Sequence, residues 1–167
     1  MKYTSAQANK LLKKLNEDYD ALAEQERLSY TFVASIEEDE EELRPEYDYD
    51  TTQDQLNEIE NMIRIIKHAI NQFNVSTVVE GFDMTIDEML VYIPQLNRKK
   101  QKLQFMKSKM PKARSMNAFM KNIIDYEYVN YDLDAVKADF EAVSEELTKA
   151  QLALDKVNNS IEFEIEV

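Results

Sequence analysis

Outside its carboxylates, this chain is poor in the residue types that do acid–base, nucleophilic or metal chemistry. It has one histidine, His68, and no cysteine, so a thiol nucleophile, a thiolate zinc site and a disulfide framework are all absent. With Ile63 and Ile70 at a positions of a heptad and Ile66 at d, His68 falls outside the apolar seam and is predicted to be a solvated surface residue. A di-iron carboxylate bundle needs Glu-x-x-His on two helices, and Ile65 stands where the glutamate would be. The chain contains no HExxH, P-loop or dinucleotide fingerprint, and its single glycine cannot build a phosphate cradle. With 33 Asp and Glu residues, paired carboxylates occur everywhere, so none stands out as a general acid and base. The expectation is a non-enzymatic protein with no cofactor and no metal.

Two groups of residues could still recognise something. From Arg98 to Arg114 the basic residues are Arg98, Lys99, Lys100, Lys102, Lys107, Lys109, Lys112 and Arg114, with no acid among them. Phe105 and Phe119 lie in or beside this stretch as stacking groups, and cations interleaved with aromatics are what single-stranded nucleic acid requires. The plainer reading is a solvated helix face whose far end meets the acidic segment Glu37 to Asp50. A net charge of -13 favours the plainer one. The second group is Asn71, Asn74, Gly81 and Thr85, around a turn. There the asparagines would satisfy helix C-terminal carbonyls, fix a strand register, or line a small polar site in an oligomer. Tyr126, Tyr128 and Tyr131 form an aromatic cluster, either an anchor for a partner or one buried sheet face.

These residues need long helices to position them. One glycine and three prolines in 167 residues leave few helix breaks. Leu56, Ile59, Ile63, Ile66, Ile70 and Phe73 repeat with 3-4 spacing, and Ile86, Met89, Ile93, Leu96 and Leu103 form a second seam beyond Gly81. Thr85 and Glu88 have the spacing of a capping box. Leu133, Val136, Phe140, Val143, Leu147, Ala150, Leu154 and Val157 make the cleanest heptads. Leu12, Leu15, Tyr19, Leu22, Val33 and Ile36 share another frame, broken at Glu26 and Ser29. Helices are predicted at about 5–36, 52–74, 85–110 and 133–158, with Pro94 kinking or restarting the third and Asn158-Asn159 closing the last.

Short strands are predicted at about 75–82, 123–131 and 161–167, from β-branched clustering or strict apolar–polar alternation. The fold class is mainly α: one elongated domain over 1–167, an antiparallel up-down-up-down long-helix bundle or coiled coil with short β segments at the helix ends. In that order the strands flanking the last helix lie ~36 Å apart at the ideal rise. The C-terminal strand is therefore expected to pair with residues 75–82, or with the same strand of a neighbouring subunit.

The acidic balance opposes generic binding to phosphate backbones and anionic membranes. Neither an apolar signal region nor a spanning segment is visible, which predicts a cytoplasmic protein.

Ile70-Asn-Gln-Phe-Asn74, the Gly81 turn, Met84-Thr-Ile-Asp-Glu-Met-Leu90 and Gln95-Leu-Asn-Arg-Lys-Lys-Gln-Lys-Leu103 together resemble a small family of uncharacterised bacterial coiled-coil proteins, some of which carry the name septicolysin. The last helix, Asp134 to Asn158, fits the same layout, so the resemblance covers most of the chain after Asp50. Members carry threonine before the second asparagine, where this chain has Phe73. The resemblance implies a helical, self-associating protein. The lysin name implies pore formation, for which the sequence offers no hairpin uncharged enough to insert. The expectation is a self-assembling coiled-coil structural or interaction protein, a homo-oligomer open to other protein partners. The alternatives are a nucleic-acid accessory protein using residues 98–114 and a membrane-active, toxin-like protein.

Overall fold

Thr4, Asp48, Thr85 and Asp132 start the four long helices, each by a side-chain oxygen taking an orphan backbone N–H. In the computed structural model, which describes residues 1–115 and 125–166, the Thr4 hydroxyl accepts from Gln7 N–H while the Gln7 amide takes the Thr4 N–H. This capping box follows a short strand β1 (Lys2–Thr4) and opens α1 (Ser5–Ser29). A one-turn helix α2 (Glu40–Leu43) precedes α3 (Tyr49–Ser76). A hairpin of β2 (Val78–Val79) and β3 (Met84–Thr85) leads into α4 (Ile86–Lys107). A second hairpin of β4 (Lys112–Arg114) and β5 (Tyr126–Tyr128) leads into α5 (Leu133–Ser160), and β6 (Glu162–Glu164) follows. The chain is thus mainly helical, with three two-stranded antiparallel sheets among the described residues.

The contacts divide the chain into two compact units. The first contains Met1–Ser76 with Val157–Val167, and the second Thr77–Lys156. In the first unit α1 and α3 pack in opposite directions. Ala8 and Leu15 meet Ile66 and Ile70 near one end, and Glu26 meets Gln53 near the other. Ile165 from the C-terminal segment completes this core. In the second unit α4 and α5 also run oppositely. Tyr92 donates to Glu146, whereas Lys107, farther along α4, lies over Phe140, earlier on α5. Seam residues Ile86, Met89, Leu96, Leu103, Val136, Val143, Leu147 and Leu154 are buried there.

Several predicted boundaries shift, each for a local reason. The first helix ends at Ser29, not near 36, and Val33 and Ile36 are 93% and fully exposed instead of continuing the seam. Glu26, the polar residue in that seam, accepts from Tyr47 Oη and Gln53 Nε2, both at 2.7 Å. Satisfying this carboxylate brings residues 47–53 against the end of α1, where a continued helix would otherwise pack. The second long helix starts at Tyr49 instead of 52, because Asp48 rather than a threonine caps it by accepting from Thr51 N–H at 2.7 Å. It runs through Ser76, so only Val78–Val79 remains of the strand expected at 75–82. The third helix runs unbroken through Pro94, whose ring is exposed, and stops at Lys107, three residues short of the expected end. Asn158 and Asn159 lie inside the last helix, which continues to Ser160.

The C-terminal strand does not pair with residues 75–82. Its partner is the N-terminal strand, with Lys2 opposite Glu164, Tyr3 opposite Phe163 and Thr4 opposite Glu162. The Ile165 N–H donates to Met1 O and the Met1 nitrogen donates to Ile165 O, each at 2.9 Å, extending the ladder. Val78–Val79 is already paired with Met84–Thr85 in its own hairpin. Alternation does set the facing of β6: Phe163 stacks on Phe73 with ring centroids 4.4 Å apart, Ile165 is buried, and the intervening glutamates are exposed.

Candidate functional site

The residues singled out around the turn fall in different units. Asn71 is exposed and Asn74 half-buried on the last turns of α3, in the first unit. The side chain that bonds the C-terminal carbonyls there is Ser76, whose hydroxyl donates to Gln72 O and Phe73 O. Gly81 and Thr85 belong to the β2–β3 hairpin of the second unit. Phe82 N–H donates to Val79 O, and Gly81 at φ +88° occupies the third position of that turn, which needs a left-handed residue. Asp83 (φ +49°) takes the next left-handed position, and Lys156 pairs with Glu80 at 2.9 Å. Thr85 caps α4: its hydroxyl accepts from Glu88 N–H at 3.2 Å, and Glu88 accepts from Thr85 N–H at 2.7 Å. The bond from the Thr85 N–H, and a second from the Thr85 hydroxyl at 3.0 Å, hold the Glu88 carboxyl below its usual range. This hairpin is built for a chain reversal and a helix start. His68 is exposed on α3.

The basic stretch has a more developed geometry. Arg98, Lys99, Lys100, Lys102 and Lys107 lie on α4, Lys109 just beyond it, and Lys112 and Arg114 on β4. Strand β4 was not expected, because Lys-Ala-Arg carries no strand pattern of its own. It pairs with β5, Lys112 opposite Tyr128 and Arg114 opposite Tyr126, and Ser115 N–H donates to Asp125 O to continue the ladder. This register brings the basic stretch and the tyrosine cluster together. Lys112 Nζ lies 4.1 Å from the Tyr126 ring centroid and 5.4 Å from that of Tyr128. Lys109 lies 4.7 Å from the Phe105 ring and 3.8 Å from Glu127. Lys107 and Lys100 lie 4.0 and 5.9 Å from Phe140.

Contacts of this kind between a cation and an aromatic face are worth about 0.5–1 kcal/mol at an exposed site. Four of the eight cations are therefore ordered over rings, while Arg98, Lys99, Lys102 and Arg114 are exposed. Tyr126 and Tyr128, expected as an anchor or as one buried sheet face, are both exposed with ring centroids 6.5 Å apart. Tyr131 turns inward, and its hydroxyl donates to Met106 O at 2.8 Å near the end of α4. Phe119 lies outside the described residues, as do positions 123 and 124 of the expected strand.

Between α4 and the hairpin lies a groove of about 290 Å³, lined by Phe105, Met106, Lys109, Met110, Tyr128, Tyr131 and their neighbours. Phe105 and Met110 are 65% and 71% exposed. Its lining is mostly apolar and includes the Lys109–Glu127 pair, 3.8 Å apart. A larger, open groove in the first unit, about 390 Å³, runs between α1 and α3 past Asn16, Tyr19, Glu60, Ile63, Arg64 and Lys67. There a hydrogen bond to Glu60 raises the Tyr19 hydroxyl above its usual range, which makes it a poorer acid. Among the described residues, no group of three His, Asp or Glu side chains comes together in a way that could hold a metal ion.

No protein-family model and no curated protein sequence matches the chain. Among solved structures, it is similar to a functionally unknown conserved protein from Corynebacterium diphtheriae. That crystal structure is 14% identical, covers 98% of this chain and 100% of its own, and superposes with a TM-score of 0.61. At that identity the likeness shows the fold alone.

Proposed function

We propose that the chain is a non-enzymatic interaction protein that assembles with copies of itself, its long helices arranged as an antiparallel up-down-up-down coiled-coil bundle. The observation that carries this reading is the number of large apolar side chains left more than half exposed on ordered elements of both units. Leu28 on α1, Val75 on α3, Val91 and Phe105 on α4 and Leu152 on α5 are among them. Each is ordinary by itself; with the open edges of the two-stranded sheets beside them, they offer surface for a covering partner. The resemblance to the bacterial coiled-coil family supports the same reading, and a cytoplasmic address is part of it. Light scattering across the micromolar range tests it: a mass above the monomer that rises with concentration is expected, and a monomeric mass throughout would end it.

The second reading, a nucleic-acid accessory protein, is favoured by the cations of 98–114 and the exposed tyrosines. Against it, Lys112 occupies the ring faces that bases would stack on, and the net charge is -13. Salt-dependent binding of a random oligonucleotide separates the two readings. For the membrane-active reading the test is liposome leakage. No helix among the described residues is long and apolar enough to cross a membrane.

A further inference from the structure

Residues 30–39 of the first unit present an unusual feature after α1 ends. Ser35 O accepts from Glu38 N–H at 3.1 Å, and Ser35 N–H donates to the Glu38 carboxylate at 2.8 Å. These two bonds close a tight turn and fix Ile36 at its second position, fully exposed. Val33, on the approach to the turn, is also exposed. An apolar side chain held at the tip of a doubly bonded turn is preorganised, so little ordering entropy remains to oppose its docking. Behind it lie Glu37, Glu38, Asp39, Glu40, Glu41 and Glu42.

The groove of the second unit has the complementary character. Phe105, Met110 and Tyr128 give it apolar surface, Lys109 stands at its rim paired with Glu127 at 3.8 Å, and the exposed Lys112 and Arg114 lie on the adjoining strand β4. We propose that this groove receives the Ile36 turn of a second copy, with Ile36 against Phe105 and Met110 and the acids that follow it beside Lys109, Lys112 and Arg114. The inference rests on the self-assembly reading above and names its surfaces. Each copy carries one turn and one groove, so the contact joins unlike patches: two copies can exchange both contacts, or copies can add end to end. Opposite charge steers the encounter, and buried apolar area supplies the affinity.

Two variants on exposed positions test it with the full chain, Ile36→Glu in the turn and Met110→Glu in the groove. Each places a carboxylate where an apolar contact should form. Each should weaken association roughly 10- to 100-fold, the cost expected for losing one buried aliphatic side chain, with helix content by circular dichroism unchanged. Mixing the two variants is the discriminating arm. Ile36→Glu keeps an intact groove and Met110→Glu an intact turn, so an equimolar mixture should form a one-to-one dimer that neither forms alone, and rising salt should weaken it.

If both variants keep the wild-type mass, the surfaces are wrong while self-assembly stands. If the wild type is monomeric at every concentration, both readings fall. Variants that are separately monomeric but do not associate when mixed overturn the pairing of turn with groove. A wild-type monomer that binds a labelled oligonucleotide, with Met110→Glu losing that binding, gives the groove to nucleic acid instead.

Discussion

The stack of Phe73 on Phe163 should be the principal link between the C-terminal segment and the α1–α3 pair, and its worth can be worked out. The rings lie 4.4 Å apart and 18° from parallel. Phe73 is 6% exposed, so Phe73→Ala removes a nearly fully buried ring and should cost about 3–5 kcal/mol. Phe163 is half-buried, and truncating it should cost about half as much, ~1.5–2.5 kcal/mol. A stacked aromatic pair adds ~0.5–1.5 kcal/mol beyond area burial. The double variant should therefore cost about 4–6 kcal/mol, less than the sum of the single changes by that coupling. Denaturant unfolding gives the totals, and amide exchange locates them. The Ile165 N–H, bonded to Met1 O, and the β1 amides should lose protection in Phe163→Ala before the α4 and α5 amides do. Strict additivity of the two changes, or unchanged protection at Ile165, would refute a C-terminal strand anchored through this stack.

Four further outcomes follow from single sites. Gly81→Ala meets no atom within 4 Å of its added Cβ, so only the φ of +88° opposes it; a loss of about 1–2 kcal/mol is expected by urea unfolding, with Gly81→Asn losing less. Ile66→Ala, fully buried, should cost about 2–5 kcal/mol, whereas Val33→Ala, although in a heptad frame, should stay within about 0.5 kcal/mol in the same assay. The Tyr47 hydroxyl is pushed up to about 12, first by its hydrogen bond to Glu26 and then by desolvation. Because the folded value is above the ordinary 10.0, its contribution is intact below pH 10.0 and is lost as pH climbs through about 12, a step that Tyr47→Phe should abolish in pH-dependent denaturation. The Glu88 carboxyl is shifted the other way by the Thr85 N–H, so its contribution holds above its ordinary 4.5 and is lost as the pH falls below that range. Glu88→Gln should remove that acid dependence, whereas Thr85→Ala keeps the N–H, should retain much of it, and should cost ~0.5–2 kcal/mol near neutrality by losing the cap hydroxyl.

What the sequence makes legible depends on how local the physics is. The α3, α4 and α5 seams can be read because a 3-4 spacing places side chains on one helix face wherever the helix packs, and Ile66, Met89 and Leu147 are buried accordingly. The same rule misplaces Val33 and Ile36. Their spacing continues the α1 frame, but the Glu26 carboxylate in that frame is satisfied by Tyr47 and Gln53 from a later segment. Strand β1 is illegible for a related reason. Lys2-Tyr3-Thr4 has one apolar side chain and becomes a strand only through a partner about 160 residues away in the chain.

The basic stretch shows both sides of this within one feature. Its composition marks Arg98 to Arg114 from the sequence, and the alternation of Tyr126 and Tyr128 marks a strand. Neither shows that the two pair, because Lys-Ala-Arg has no strand signal until Tyr-Glu-Tyr supplies the ladder. Pairing then alters the chemistry. In isolation these lysines suggest a phosphate-binding surface, with Phe105 and Phe119 as the stacking groups. In the hairpin, Lys112 lies over Tyr126 and Tyr128, and Lys109 is shared between Phe105 and Glu127. Rings covered by the chain's own cations are less available to bases. The apolar groove beside them, with the Lys109–Glu127 pair at its rim, is the surface we propose for the exposed Ile36 turn of a second copy.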